Sequence, residues 1–217
     1  EDILKYYQTN QEDFRVFKQQ LEFHVTHLLL QKYLPTPLRI LELGAGSGYY
    51  TLQLARMGHT IVSMDLVPEL VELCREKLKH EGLDLQVTLL VGDAREIPRT
   101  QEKFDAVLVM GPLYHLTSIR ERESLMKNLK HVVKKDGLVL STFLSRVGLM
   151  SYMLARFPAW GIESPEQAEH IMSIGYLPDH PKNGEFRGYF TTVEEIQELH
   201  KLADLKLLKI HSQDPCI

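Results

Sequence analysis

The chain has 217 residues, 44% hydrophobic and 25% charged, with a formal net charge of −4, a balance that suits one α/β domain with a substantial core. The acidic balance gives no electrostatic reason to expect nucleic acid, and two cysteines make neither a disulfide framework nor a zinc cluster. No apolar run reaches membrane-spanning length and no secretory leader is visible, so a cytoplasmic protein is the expectation.

Residues 1–34 read as helix, with Leu21, Val25, Leu28 and Leu29 on one face and Phe14 and Phe17 extending it upstream. Gln8 to Gln11 break the pattern, and Tyr6 and Tyr7 precede the break. Tyr7 either closes over a ligand or packs the helix onto the sheet, and Arg15 either meets a ligand carboxylate or is solvated. Pro35 and Pro37 stop the helix.

An apolar run at 38–43 reads as the first strand and leads into Gly44-Ala45-Gly46-Ser47-Gly48. Glycine lets backbone turn tightly and approach a ligand closely, and the amides opening the next helix favour polar or anionic groups. That helix covers 49–57 and stops at Gly58. A strand at 60–64 ends at Asp65. A helix at 68–80, carrying a buried free thiol at Cys74, stops at Gly82. A strand at 85–91 ends in Gly92-Asp93-Ala94. The fourth strand, 104–110, runs into Gly111-Pro112-Leu113-Tyr114-His115. A helix at 118–134 ends on Lys134 and Lys135, cations favourable at its negative pole. Asp136-Gly137 then turns the chain into a fifth strand, 138–143. Alternating β and α elements predict a doubly wound, mostly parallel sheet.

The rhythm breaks after residue 145. Residues 145–189 carry Tyr152, Trp160 and other aromatic and methionine side chains around two helical patterns, 147–156 and 164–174. They read as a helical cap inserted after strand five. Its apolar residues either line a substrate pocket or form the small core that holds the cap down. Thr192 and Glu195 form a capping box for a helix to residue 203, and 205–210 reads as a further strand.

The Gly-x-Gly-x-Gly turn, with Glu42 two residues before it, resembles the first motif of class I, Rossmann-like S-adenosylmethionine (SAM)-dependent methyltransferases. The Gly-Pro-Leu-Tyr-His-Leu run resembles a bacterial group of small-molecule methyltransferases. The resemblance implies strand order 3-2-1-4-5-(7)-6; the last, antiparallel strand does not appear before Ile217, so either the natural chain is longer or the protein lacks it. It implies a single domain over 1–217, with 1–34 as a lid. SAM would lie against Glu42, Gly44, Ala45, Gly46 and Gly48, with Glu42 receiving its ammonium directly or through water. Asp65 would accept from the ribose hydroxyls, and Leu66 and Ile97 would sandwich the adenine. Asp93 and Ala94 would read the adenine edge, and Met110 and Gly111 would face the transferred methyl group. Met110 and Gly111 replace the polar residue and proline of DNA amino-methyltransferases, which argues against that activity.

A base is needed only if the acceptor carries a proton, and His115 is the placed candidate; Tyr114 would orient the acceptor. Tyr7, Arg15, Tyr152 and Trp160 are the substrate candidates. His115, His170 and His180 lack metal-ligand spacing, so no metal is expected. The expected activity is methylation of an O or N atom of a small molecule, giving S-adenosylhomocysteine (SAH), by a monomer or homodimer. The alternatives are an RNA or protein methyltransferase and a non-catalytic SAM-binding regulator.

Overall fold

The computed structural model describes residues 6–7, 20–97, 102–176 and 188–212. The apolar runs form five parallel strands: β1 (Arg39–Leu43), β2 (Thr60–Asp65), β3 (Val87–Val91), β4 (Phe104–Val109) and β5 (Val133–Ser141). Their order is β3-β2-β1-β4-β5, the doubly wound arrangement expected. Helices α1 (Gln20–Tyr33), α2 (Tyr49–Arg56), α3 (Pro68–Glu81), α4 (Pro112–His115) and α5 (Ile119–Val132) connect and flank them.

Strand side chains alternate between two cores. Leu41, Leu43, Val107 and Val109 pack with Leu125, Met126 and Leu129 of α5. On the other face Ile40, Ile61 and Leu108 pack with Phe23 and Leu30 of α1, Leu54 of α2 and Leu78 of α3. Each fully buried aliphatic side chain contributes about 1.5–3 kcal/mol. Helix α1 turns a different stripe inward from the one expected. Phe23, Thr26 and Leu30 are buried, while Leu21 and Leu28 are exposed. Thr26 fits because its hydroxyl donates to the Glu22 carbonyl, 2.8 Å away.

The expected Asp136-Gly137 turn is a bulge inside β5. Val133 pairs with Phe104 and Leu138 with Ala106, so residues 134–137 bulge opposite Asp105. Asp136 takes a left-handed φ of 62°. Helix α5 stops before Lys134, whose ammonium donates to Asp105 at 2.7 Å instead of sitting at the helix pole. No described strand pairs with the outer side of β5.

After β5 come β6 (Leu144–Ser145), α6 (Arg146–Arg156), α7 (Trp160–Glu163), α8 (Pro165–Ile174), β7 (Phe190–Thr191) and α9 (Val193–Leu202). β6 and β7 pair in parallel, a small sheet the sequence did not announce. Thr192 caps α9 in the expected box, its hydroxyl accepting from the Glu195 amide at 3.2 Å. Buried Arg146 clasps this region: it donates to the carbonyls of Phe190, Met172 and Ser173 and pairs with Glu195 at 2.5 Å.

Residues 205–210 form no strand. They alternate like one, but Leu208 stays 68% exposed, so alternation without burial leaves the segment outside the sheet. The expected sixth strand is therefore absent among the described residues.

Candidate functional site

Loops at the carboxyl ends of β1 to β4 continue the ladder for a residue or two. Gly44 and Ala45 donate to the Met64 carbonyl, Gly92 to Asp65 and Met110 to Leu43, at 2.9–3.1 Å. A cleft of about 230 Å³ opens above them. It lies at the switch point between β1 and β4, where open α/β sheets bind ligands.

Gly44, Ala45 and Gly46 line the cleft on one side. Gly48 does not, and its glycine has another cause: a Cβ there would lie 2.2 Å from the Cys74 sulfur on α3. Gly48 thus lets α2 and α3 pack closely. Gly44 is likewise held by protein, since its Cβ would meet a Pro112 ring carbon at 2.5 Å.

Glu42 does not line the cleft. It points from β1 beneath α2 and is fully buried. Thr51 and Ser63 hydroxyls donate to its Oε2 at 2.6 and 3.1 Å, while Oε1 has no partner among the described residues. Burial, reinforced by the Asp65 charge and opposed by these two hydrogen bonds, pushes its pKa up to about 7. Of the two expected routes to the cofactor ammonium, direct or through water, the direct one is therefore not built into this wall.

Asp65 lines the cleft at the tip of β2. Its Oδ2 accepts from the Gly46 amide at 2.7 Å and its Oδ1 from Val67 at 2.9 Å. Each carboxylate oxygen keeps further acceptor capacity, so a diol remains compatible with the site. Burial raises its pKa, and the amides of Val67, Gly46 and Leu66 pull it back.

Asp93 and Ala94 line the cleft beyond β3, with Leu66 between them and Asp65. The sequence did not point to Arg95, which folds back onto Asp93 with an Nη2–Oδ2 distance of 2.6 Å and also reaches Glu121 of α5 at 2.7 Å. Arg95 holds the Asp93 carboxyl below its usual range. Ile97 packs into the core instead, so the expected second face of an adenine sandwich is missing there.

On the far side stand Met110, Gly111, Tyr114 and His115. Gly111 has φ 140°, which turns β4 sharply into α4. Tyr7 reaches the cleft from the N-terminal segment, and its hydroxyl lies 2.8 Å from His115 Nε2. Their rings meet edge to face at 5.5 Å between centroids. Two substrate candidates lie elsewhere. Tyr152 is 55% exposed on α6, and Trp160 on α7 donates to Gln167 within the cap; neither lines this cleft. Arg15 and His180 fall outside the described residues.

The wall fits a nucleoside with a charged tail. It offers two half-buried carboxylates on adjacent strand tips, apolar Leu66 and Ala94 between them, and a glycine loop close by. Residues 40–137 match the methyltransferase domain family. Fold, cleft and this match agree on the class: residues 40–137 carry a methyltransferase domain. Among particular relatives, the protein-L-isoaspartate O-methyltransferase of Nitrobacter winogradskyi is 27% identical over 159 residues, 73% of this chain and 67% of that protein. The ubiquinone biosynthesis O-methyltransferase of Methylocella silvestris is 29% identical over 61% of this chain and 51% of that protein. The chain thus spans two thirds of the first and about half of the second. In solved structures, a SAM-dependent methyltransferase from Methanosarcina mazei shares the fold with a TM-score of 0.64 at 20% identity, covering 81% of this chain and 82% of that one.

Proposed function

We propose that the chain transfers a methyl group from SAM to an O or N atom of a small molecule. The observation that carries this reading is the Tyr7–His115 pair, which stands on the same cleft as the glycine loop and Asp65. SAM, when bound, supplies an electrophilic methyl group on a sulfonium.

The protein's task is alignment of an unprotonated nucleophile in a dry site. Gly44, Ala45, Gly46, Asp65, Leu66, Asp93 and Ala94 hold the cofactor, with Met110 and Gly111 at its reactive end. His115 takes the acceptor's proton at Nε2, with the Tyr7 hydroxyl as its hydrogen-bonded relay, and Tyr114 walls the acceptor side. Residues 1–34 act as a lid, a reading supported by Tyr7 reaching the cleft. Residues 145–189 act as a substrate cap, supported by the Tyr189 amide, which donates to the Tyr114 carbonyl at 2.6 Å.

The test is calorimetry with SAM, SAH and NAD, followed by transfer of labelled methyl from SAM to a panel of small acids, phenols and amines. Binding of SAM with label appearing in a small molecule supports the proposal. Binding of NAD alone, or label transferred only to protein or RNA, overturns it.

A further inference from the structure

A second cavity of about 270 Å³ lies behind Tyr114, which lines both it and the cofactor cleft. Leu113, Ile119, Phe143 and Leu199 are its apolar lining. Arg122, Tyr189, Thr191 and Glu195 bring polar groups to it. Its polar inventory is uneven. Glu195 is saturated: Oε1 accepts from Arg146 and Tyr189, and Oε2 accepts from Thr191 and the Thr192 amide. Its charge is already matched by Arg146.

Arg122 is different. It is only 4% exposed, and no described carboxylate forms an ion pair with it. Nη1 donates to the Leu116 and Thr117 carbonyls at 2.5 and 3.0 Å. The flat face of the guanidinium lies 3.5 Å from the Tyr189 ring centroid. That stacking leaves the in-plane edge free, and the Nε and Nη2 donors have no hydrogen-bond partner among the described residues. The carboxylates whose charge reaches it, Glu195 and Glu121, are each ion-paired with another arginine, and a buried guanidinium without an ion-pair partner of its own is costly. Its planar edge matches a carboxylate in bidentate fashion.

We infer that this cavity is the acceptor's binding subsite and that Arg122 selects a small molecule with an apolar body and one carboxylate. The inference rests on the methyltransferase reading and narrows its substrate class. One guanidinium carries a single positive charge, which suits a carboxylate better than a dianionic phosphate. The volume exceeds the 150 Å³ or so in which an apolar cavity holds benzene, so an aromatic acid is of the right size. Anchored at Arg122, such a molecule extends toward Tyr114 and the cleft beyond it.

The test uses the whole chain saturated with SAH, whose own binding by calorimetry checks the methyltransferase reading separately. Benzoate, neutral benzamide and inorganic phosphate are then titrated by ligand-observed NMR. Benzoate is expected to bind tighter than benzamide by about tenfold or more, the scale of charge-assisted hydrogen bonds. Arg122→Gln should erase that preference while SAH affinity stays. Ile119→Trp, at a half-exposed wall position, should weaken both aromatic probes and keeps the test decisive if the Arg122 variant does not fold. Equal affinity for benzoate and benzamide, preference for phosphate, or no probe binding by protein that binds SAH would overturn the inference.

Discussion

The Tyr7 hydroxyl lies 2.8 Å from Nε2 of His115, joining the N-terminal segment to the loop after β4. If His115 receives the acceptor's proton, His115→Ala should slow turnover by roughly 10²–10⁴-fold, the range of general base catalysis. SAH affinity should change far less. Tyr7→Phe should give a smaller loss in turnover, because it removes one hydrogen bond and leaves the imidazole. Single-turnover kinetics beside SAH calorimetry separate these effects. Normal turnover in His115→Ala would exclude an essential base.

Asp65 fastens the glycine loop through Gly46 and the start of α3 through Val67. Asp65→Ala removes these acceptors as well as the proposed ribose partner. SAM affinity should fall by about 1–3 kcal/mol, the cost of lost charged hydrogen bonds. Unchanged calorimetric affinity would take Asp65 out of the cofactor site.

Two buried groups pull the pH dependence of stability in opposite directions. The folded pKa of Glu42 is raised to about 7. Its contribution is therefore full below the unfolded carboxylate pKa and is lost as pH rises through 7. At 1.36 kcal/mol per pKa unit, deprotonation costs the fold about 3 kcal/mol well above pH 7. His59 is fully buried and accepts from the Leu38 amide at Nδ1. Burial lowers its pKa, so its contribution is full above the unfolded value near 6.5 and is lost as pH falls. Glu42→Gln should raise the urea midpoint at pH 8.5 and change it little at pH 5. Equal shifts at both pH values would refute the buried-charge argument.

Gly48 packs against Cys74 and stays off the cleft. Gly48→Ala should destabilise the fold by about 1–3 kcal/mol, the usual range for overpacking, with added strain from φ 85°. The fraction that remains folded should still bind SAM. Loss of binding by folded protein would mean that Gly48 faces the ligand after all.

The β/α rhythm from Arg39 to Ser141 was legible because each strand is a short apolar run closed by turn residues. Gly44, Gly46, Asp65 and Asp93 were legible because a βα unit forces strand-tip residues to one edge. Glu42 was misread. Its position in the motif is fixed, but only the packing of α2 reveals that Thr51 and Ser63 hold its carboxylate below the sheet edge. Arg95 and Arg122 carried no signal, since their roles depend on Glu121 and Tyr189, which are distant in sequence. The cap misled in a different way. Tyr152 and Trp160 look like pocket residues by type, yet Tyr152 faces water and Trp160 bonds to Gln167 within the cap.

One edge strand of the described sheet, β5, carries Lys134, Lys135 and left-handed Asp136 just after its first residue. Their charges and the bulge interrupt the flat run of peptide groups that a neighbouring molecule needs for strand addition. That stretch of rim therefore resists fibre-like stacking between copies, and two lysine-to-threonine changes with a straightened bulge would turn it into a sticky border.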